Sequence, residues 1–164
     1  MERMGDFMLT ISGEVQNPRS LTFDDLSAIP AEHQIVDVSR LIPGRKGDAV
    51  KLSGILQLIQ PRSAARYLGL HSSADNFHAS IPLTAVADRA LVIYRLEGQP
   101  LPAKSGGPVR FFIPDFAACH TAEIDECANV KFVDSLEFTA EKGFDNRPHD
   151  GAQHEELHRK QNTA

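Results

Sequence analysis

Apolar side chains in this chain recur mainly at every second position, in short runs that glycine and proline interrupt. Leu9–Val15 alternates in this way, and Ala90–Leu96 is a strongly apolar run rich in strand-forming residues. Tyr67–His71 and Phe77–Ile81 also alternate, and the turn-forming segment Ser72–Asn76 joins them, which predicts a β-hairpin. Period-two alternation is typical of strands with one buried face. We therefore expect a strand-rich α+β domain.

Short helices and further strands account for the remaining apolar segments. Thr22 is placed to cap a helix whose first turn carries Asp24 and Asp25, where the helix dipole favours negative charge. Val50–Ile59 begins as a strand and becomes a helix with one apolar face. A helical turn is predicted at Leu83–Ala87, and further strands at Gln34–Val38, Val109–Ile113 and Val130–Phe138.

Length, charge and hydropathy restrict the class of protein. A chain of 164 residues suits one domain, which we place at residues 9–142, after an N-terminal extension (1–8) and before a flexible polar tail (143–164). The apolar runs are shorter than a membrane span, and a net charge of −5 gives no reason to expect nucleic acid. No secretory signal is visible, so a cytoplasmic location is expected.

A series of short motifs runs in a fixed order along residues 9–139. Its members are Ile11–Pro18, Leu21–Pro30, Leu52–Leu56, Ser73–Leu83, Gly98–Pro102, Gly106–Arg110, Ile113–Pro114, Val130–Val133 and Leu136–Phe138. In order and spacing they resemble the molybdopterin-binding domain of the sulfite oxidase family of oxidoreductases. The resemblance implies that family's fold of mixed, strand-rich sheets with short helices, and a molybdenum cofactor held by molybdopterin.

The family's metal-binding cysteine has no counterpart here. In the family it follows the strand that matches Gln34–Val38, and its soft thiolate completes the sulfur ligation of molybdenum. This chain has Asp37 or Ser39 at that place, depending on the alignment of the loop. Either side chain could offer an oxygen to the metal, with different electronic properties.

The resemblance also implies residues that contact the pterin. The family commonly has His-Gly-x-Pro-x-Arg, and this chain retains Gly106 and Arg110 but has Ser105 in place of the histidine. Arg110 and Lys131 occupy positions at which family members bind the anionic pterin phosphate. From the alternation alone, Arg110 could equally be an exposed or paired arginine.

A basic segment suggests an anionic ligand or substrate. Between residues 40 and 66 only Asp48 is acidic, whereas six residues are basic: Arg40, Arg45, Lys46, Lys51, Arg62 and Arg66. Such an excess could attract a small anion, or it could be a solvated basic edge. An oxidoreductase of this family would also require a redox partner protein, while no nucleic-acid or membrane partner is expected.

The two cysteines form a second candidate site. Cys119 and Cys127 lie eight positions apart, with His120 between them, in a loop-like segment. They could be inert thiols, a disulfide or redox pair, or, with His120 and a carboxylate, zinc ligands. The histidines of the predicted hairpin, His71 and His78, are interpreted as structural.

Three functional hypotheses follow. The first is a molybdopterin-dependent oxidoreductase domain that works by oxygen-atom transfer or two-electron reduction, with a degenerate catalytic site as one version of it. The second is a cofactor-free binding or interaction module on the same fold. The third is a thiol redox sensor built on Cys119 and Cys127.

Overall fold

Ten strands and three short α-helices make up the part of the chain that the structure, a computed structural model, describes: residues 7–114 and 129–147. Three 3-10 turns, at Ala31–His33, Val38–Arg40 and Ala103–Ser105, connect them. In chain order the elements are β1 (Phe7–Gly13), β2 (Arg19–Thr22), α1 (Phe23–Ser27), β3 (Gln34–Ile35), β4 (Asp48–Lys51), α2 (Leu52–Ile59), β5 (Tyr67–Ser72), β6 (Phe77–Pro82), α3 (Leu83–Val86), β7 (Leu91–Leu96), β8 (Gln99–Pro100), β9 (Arg110–Phe112) and β10 (Ser135–Thr139).

The strands form two sheets. Sheet one has the order β2-β1-β10-β5-β6, and its only parallel pair among the described strands is β1 with β10. Sheet two has the order β3-β4-β7-β8, and β9 also pairs with β7. The described pairs of sheet two are antiparallel. The architecture is the α+β arrangement of mixed, strand-rich sheets that the sequence predicts.

The main core lies between the two sheets, and a smaller core lies on the other face of sheet two. Val92 and Tyr94 of β7 join the main core, whereas Leu91 and Ile93 join the smaller one. Both faces of β7 are therefore covered, which explains why this strand is a continuous apolar run rather than an alternating one. The smaller core is important for the site because it fixes β9 through the buried side chain of Phe112.

Local sequence signals set several element boundaries. Thr22 caps α1 in a capping box, with its hydroxyl accepting from the Asp25 amide and the Asp25 carboxylate accepting from the Thr22 amide. The predicted hairpin is present as β5 and β6, paired from Tyr67 opposite Pro82 to Ser72 opposite Phe77. α2 follows β4 directly, as the strand-to-helix pattern predicts.

Two predicted strands are interrupted by residues with positive φ. The predicted strand Val130–Phe138 begins only at Ser135, because Phe132 has a φ of 60° and interrupts the extended backbone. The predicted strand Gln34–Val38 ends at Ile35, since Asp37 has a φ of 65° and starts a 3-10 turn. Both interruptions occur at residues that adopt a left-handed backbone without being glycine, so the sequence does not indicate them.

Residues 143–147 are held against β6, whereas the sequence predicts that they belong to a flexible tail. We name this segment the C-terminal strap. The amide of Ser80 in β6 donates to the Asp145 carboxylate, and the Ser80 hydroxyl accepts from the Gly143 amide. Asp145 also pairs with buried Arg147 at 2.7 Å. Residues 148–164 lie outside the described ranges, and no helix within those ranges is long and apolar enough to span a membrane.

Candidate functional site

A cationic cleft opens beside β9. It is a cavity of about 210 Å³ between the loop that precedes β4 and the segment that leads into β9. We call this cavity, together with the neighbouring Lys131, the cationic cleft. Its lining residues are Gly44, Arg45, Lys46, Leu96, Ser105 and Arg110.

Arg45, Arg110 and Lys131 surround the cleft, and none of them has an acidic partner among the described residues. Burial, and after it the charge of Arg45, lowers the pKa of Arg110 to about 10. Burial, Arg110 and Arg45 together lower the pKa of Lys131. No ion pair within residues 7–114 and 129–147 includes any of these three side chains. Mutual repulsion of this kind is relieved when an anion binds.

The buried Nε of Arg110 has no hydrogen-bond partner among the described residues. A buried donor left unpaired costs free energy, more so when it belongs to a charged group. Such a cost is offset when a ligand accepts the hydrogen bond, and a guanidinium is suited to an anionic oxygen. The cleft therefore has the chemistry of an anion-binding site.

Gly106 brings Arg110 and Lys131 to the same side of the cleft. Its φ of 104° ends the 3-10 turn at Ser105, and a Cβ at this position would lie 3.4 Å from Cδ of Arg110 and 3.7 Å from Cβ of Lys131. The Gly106 carbonyl accepts from the Phe132 amide at 2.8 Å, which fixes the segment carrying Lys131. The structure thus brings together Ser105, Gly106, Arg110 and Lys131, which the family resemblance predicts as cofactor-binding positions.

Arg45 is positioned by an aromatic ring whose role the sequence does not indicate. Its guanidinium carbon lies 4.7 Å from the centroid of the Phe112 ring, within cation–π distance. Of the six residues of the basic segment, only Arg45 and Lys46 line the cleft. Arg40 instead lies 3.7 Å from the Asp37 carboxylate. The basic segment as a whole does not form one positive surface at this site.

Asp37 and Ser39 bind each other rather than line the cleft. The Asp37 carboxylate accepts hydrogen bonds from the amide and the hydroxyl of Ser39. The 3-10 turn is anchored by Val38, which is fully buried in the smaller core. Neither Asp37 nor Ser39 is among the residues that line the cavity, and their assignment to the metal position remains a prediction.

The predicted thiol site cannot be placed relative to this cleft. Cys119, His120 and Cys127 lie outside the described residues, as do His149, His154 and His158 of the predicted tail. Within residues 7–114 and 129–147, no group of three or more His, Cys, Asp or Glu side chains is arranged to hold a metal ion. The alternatives for the two cysteines therefore remain open.

Comparisons with known proteins agree with the fold and with the motif series. Residues 48–146 match the family model of the oxidoreductase molybdopterin binding domain. A protein of Azospira oryzae named as the putative subunit YedZ1 of a protein-methionine-sulfoxide reductase is 32% identical over 115 residues, which are 66% of this chain and 42% of that relative. The sulfane dehydrogenase SoxCD from Paracoccus pantotrophus shares the fold, with a TM-score of 0.60 at 19% identity over 87% of this chain and 40% of that chain.

The matched region includes most of the elements that build the cleft. It runs from β4 through β9 and β10 and ends within the C-terminal strap, so it contains Ser105, Gly106, Arg110 and Lys131. The family match spans more than half of the chain, and the structural neighbour has the same fold. This chain belongs to the oxidoreductase molybdopterin-binding domains of the sulfite oxidase family.

Proposed function

We propose that the cationic cleft holds the phosphate of molybdopterin through Arg45, Arg110 and Lys131. The observation that carries the proposal is the buried Nε of Arg110, which has no acceptor among the described residues. A phosphate would supply that acceptor and would offset most of the positive charge of the three cations. The residues present therefore fit the anionic end of the cofactor.

In this role each side chain has a distinct task. Arg110, fixed on β9 by the core, would donate its buried N–H to a phosphate oxygen, while Lys131 would add a point charge beside it. Ser105 would offer a hydroxyl in place of the family's histidine. When bound, the cofactor's molybdenum would supply oxygen-atom transfer, and the protein would supply orientation and charge.

We further propose that the metal end of the site is degenerate. The side chains nearest in sequence to the family's thiolate position, Asp37 and Ser39, are hydrogen-bonded to each other. Hard oxygen donors stabilise a high-valent metal differently from a soft thiolate, so we expect altered or absent redox activity. The name of the relative in Azospira oryzae makes protein sulfoxides the first substrate class to assay.

A cofactor-free binding module is the second candidate. The chain lacks the family's cysteine, and the Asp37 carboxylate already accepts a hydrogen bond from the Ser39 hydroxyl. Both observations favour this candidate, because they leave molybdenum without a ready protein ligand. Such a module would still use the cationic cleft, but for another small anion. This candidate predicts that the protein binds inorganic phosphate but contains no pterin.

Metal and pterin analysis separates the two candidates. The protein is purified from cells competent for molybdenum-cofactor synthesis, and molybdenum per chain is measured together with pterin fluorescence after denaturation. We expect stoichiometric pterin in the native protein, loss of pterin in Arg110→Ala, and no loss in Lys51→Ala, which removes an exposed charge from β4. Absence of both pterin and molybdenum from the folded native protein would overturn the first candidate and support the second.

A further inference from the structure

Two histidines face each other across the β5–β6 hairpin of sheet one. His71 on β5 pairs directly with His78 on β6, and their Nδ1 atoms are 2.8 Å apart. The Nε2 of His71 lies 3.0 Å from a carboxylate oxygen of Glu137 on β10. The Nε2 of His78 lies 3.0 Å from the side-chain oxygen of Asn76. Both outer nitrogens therefore face acceptors, and the inner nitrogens face each other.

The ring geometry indicates a shared proton rather than a metal. The ring centroids of His71 and His78 are 5.0 Å apart, while the two Nδ1 atoms are separated by 2.8 Å. Each Nδ1 atom lies one ring radius from the centroid of its own ring. The two distances therefore agree only if both Nδ1 atoms lie close to the line that joins the two centroids. That is the geometry of an N–H···N hydrogen bond. A chelated metal would instead require the two lone pairs to converge at a point off that line.

The C-terminal strap is attached at the same histidine. The His78 carbonyl accepts from the Asn146 amide at 2.9 Å, and the His78 amide donates to the Asn146 side-chain oxygen at 2.8 Å. The ring of Phe144 lies 5.0 Å from the His78 ring. Because β6 is an outer strand of sheet one, the strap occupies backbone groups that would otherwise form an open edge.

We propose that the His71–His78 pair is an acid-sensitive latch for the C-terminal strap. A pair with one inner proton, whether neutral or singly charged, keeps the N–H···N bond. A second inner proton places two N–H groups against each other and forces the rings apart. Since His78 holds Asn146 on both its backbone groups, moving it releases Asn146 and exposes the backbone N–H and C=O of His78 on the outer edge of β6.

The charged surroundings set the pH at which the latch opens. Burial, and after it the charge of His71, lowers the pKa of His78, while Asp134 and Asp75 oppose that shift. Glu137 faces the pair from β10. A lowered pKa in the closed state means that the open state binds more protons. Closure is therefore complete above the ordinary histidine pKa of about 6.5 and is lost as the pH falls below it.

The rest of the strap attachment does not titrate in this range. Burial would raise the pKa of Asp145, but hydrogen bonds from Arg147 and from the Ser80 amide hold it below its ordinary value. Asp145 therefore remains charged while His78 titrates. Phe144 accepts an imidazolium as readily as an imidazole, so the contact between the two Nδ1 atoms is the sensor.

Amide hydrogen exchange of β6 as a function of pH tests the latch. The exchange of the His78 amide, corrected for the intrinsic effect of pH, is measured from about pH 8 to about pH 4.5. We expect protection to fall about tenfold or more below pH 6 in the native protein. His71→Gln should stay protected in acid, because the introduced amide oxygen accepts from a protonated His78. Asn146→Ala, which removes the side-chain acceptor, defines the unprotected state at every pH.

A second measurement needs no variant. The side-chain resonances of His78 in the native protein should titrate below the ordinary histidine pKa. Glu137→Gln should move the opening to lower pH, since it removes a charge that favours protonation. Exchange that does not change with pH, acid opening that persists in His71→Gln, or a titration of His78 at the ordinary histidine pKa would each overturn the proposal.

Discussion

The guanidinium of Arg45 lies over the ring of Phe112, 4.7 Å from its centroid. This contact joins a loop to the core, because Phe112 is 6% exposed and belongs to the smaller core of sheet two. A flexible basic side chain thereby acquires a fixed position beside Arg110. An uncharged ring therefore helps to hold one of the positive charges of the cleft in place.

Phe112→Leu should weaken anion binding without removing a charge. The substitution keeps an apolar side chain in the core but removes the aromatic face beneath Arg45. An exposed cation–π contact contributes about 0.5–1 kcal/mol, so we expect the affinity for inorganic phosphate to fall about two- to fivefold. Isothermal titration calorimetry measures this change. An unchanged affinity in Phe112→Leu, with Arg45→Ala weakened, would show that Arg45 does not need the ring.

Arg110→Met should weaken anion binding strongly and leave the unliganded protein as stable as before, or more so. The arginine is half-buried among like charges, and its Nε has no partner among the described residues. Burying a charge without a partner is unfavourable, and a methionine of similar length removes that cost. We expect phosphate affinity to fall about ten- to a hundredfold, since a hydrogen bond to a charged group contributes about 1.5–3 kcal/mol. Urea denaturation without phosphate supplies the stability, and a marked loss there would contradict the functional interpretation of Arg110.

Phosphate binding should take up protons in alkaline solution. The pKa of Arg110 is lowered to about 10, and the pKa of Lys131 is also lowered by burial and its cationic neighbours. A bound anion favours the charged forms, so both pKa values rise on binding. At about pH 9.5 the measured enthalpy should therefore depend on the ionisation enthalpy of the buffer, and the affinity should fall as the pH rises further. A buffer-independent enthalpy at that pH would contradict the coupling of these two cations to the anion.

The sequence predicts the elements that follow from local patterns and misses what depends on long-range packing. The Thr22 capping box, the hairpin and the transition from strand to helix after Lys51 all follow from side-chain types within a few residues. The breaks at Asp37 and Phe132 do not, because both residues adopt positive φ without being glycine. In the site, the motif resemblance identifies Arg110 and Lys131. The Phe112 contact with Arg45 is a tertiary contact that no spacing encodes.

Asp145→Asn should destabilise the protein through the C-terminal strap. Its carboxylate is 5% exposed, pairs with Arg147 at 2.7 Å and accepts from the Ser80 amide. Removing one partner of a buried ion pair costs about 3 kcal/mol or more, because the remaining charge is left uncompensated. The low pKa of Asp145 in the folded state means that this stabilisation is present at neutral pH and is lost as the pH falls through that value. Urea denaturation compares Asp145→Asn with Glu141→Gln, an exposed change two residues before the strap. Equal stabilities of the two variants would show that the strap contributes nothing.

Ser39→Cys and Asp37→Cys test whether the missing thiolate is what separates this chain from an active oxidoreductase. A thiolate is a better donor to molybdenum than a hydroxyl or a carboxylate, so a cysteine at the correct position should raise the molybdenum retained per pterin. Asp37→Cys also frees the Ser39 hydroxyl from its carboxylate partner. Ser20→Cys controls for non-specific metal binding by an added thiol, because Ser20 lies on β2 of sheet one whereas the turn follows β3 of sheet two. If neither Asp37→Cys nor Ser39→Cys retains more molybdenum per pterin than Ser20→Cys, this turn is not the metal position. The cleft then binds an anion whose chemistry does not involve this turn.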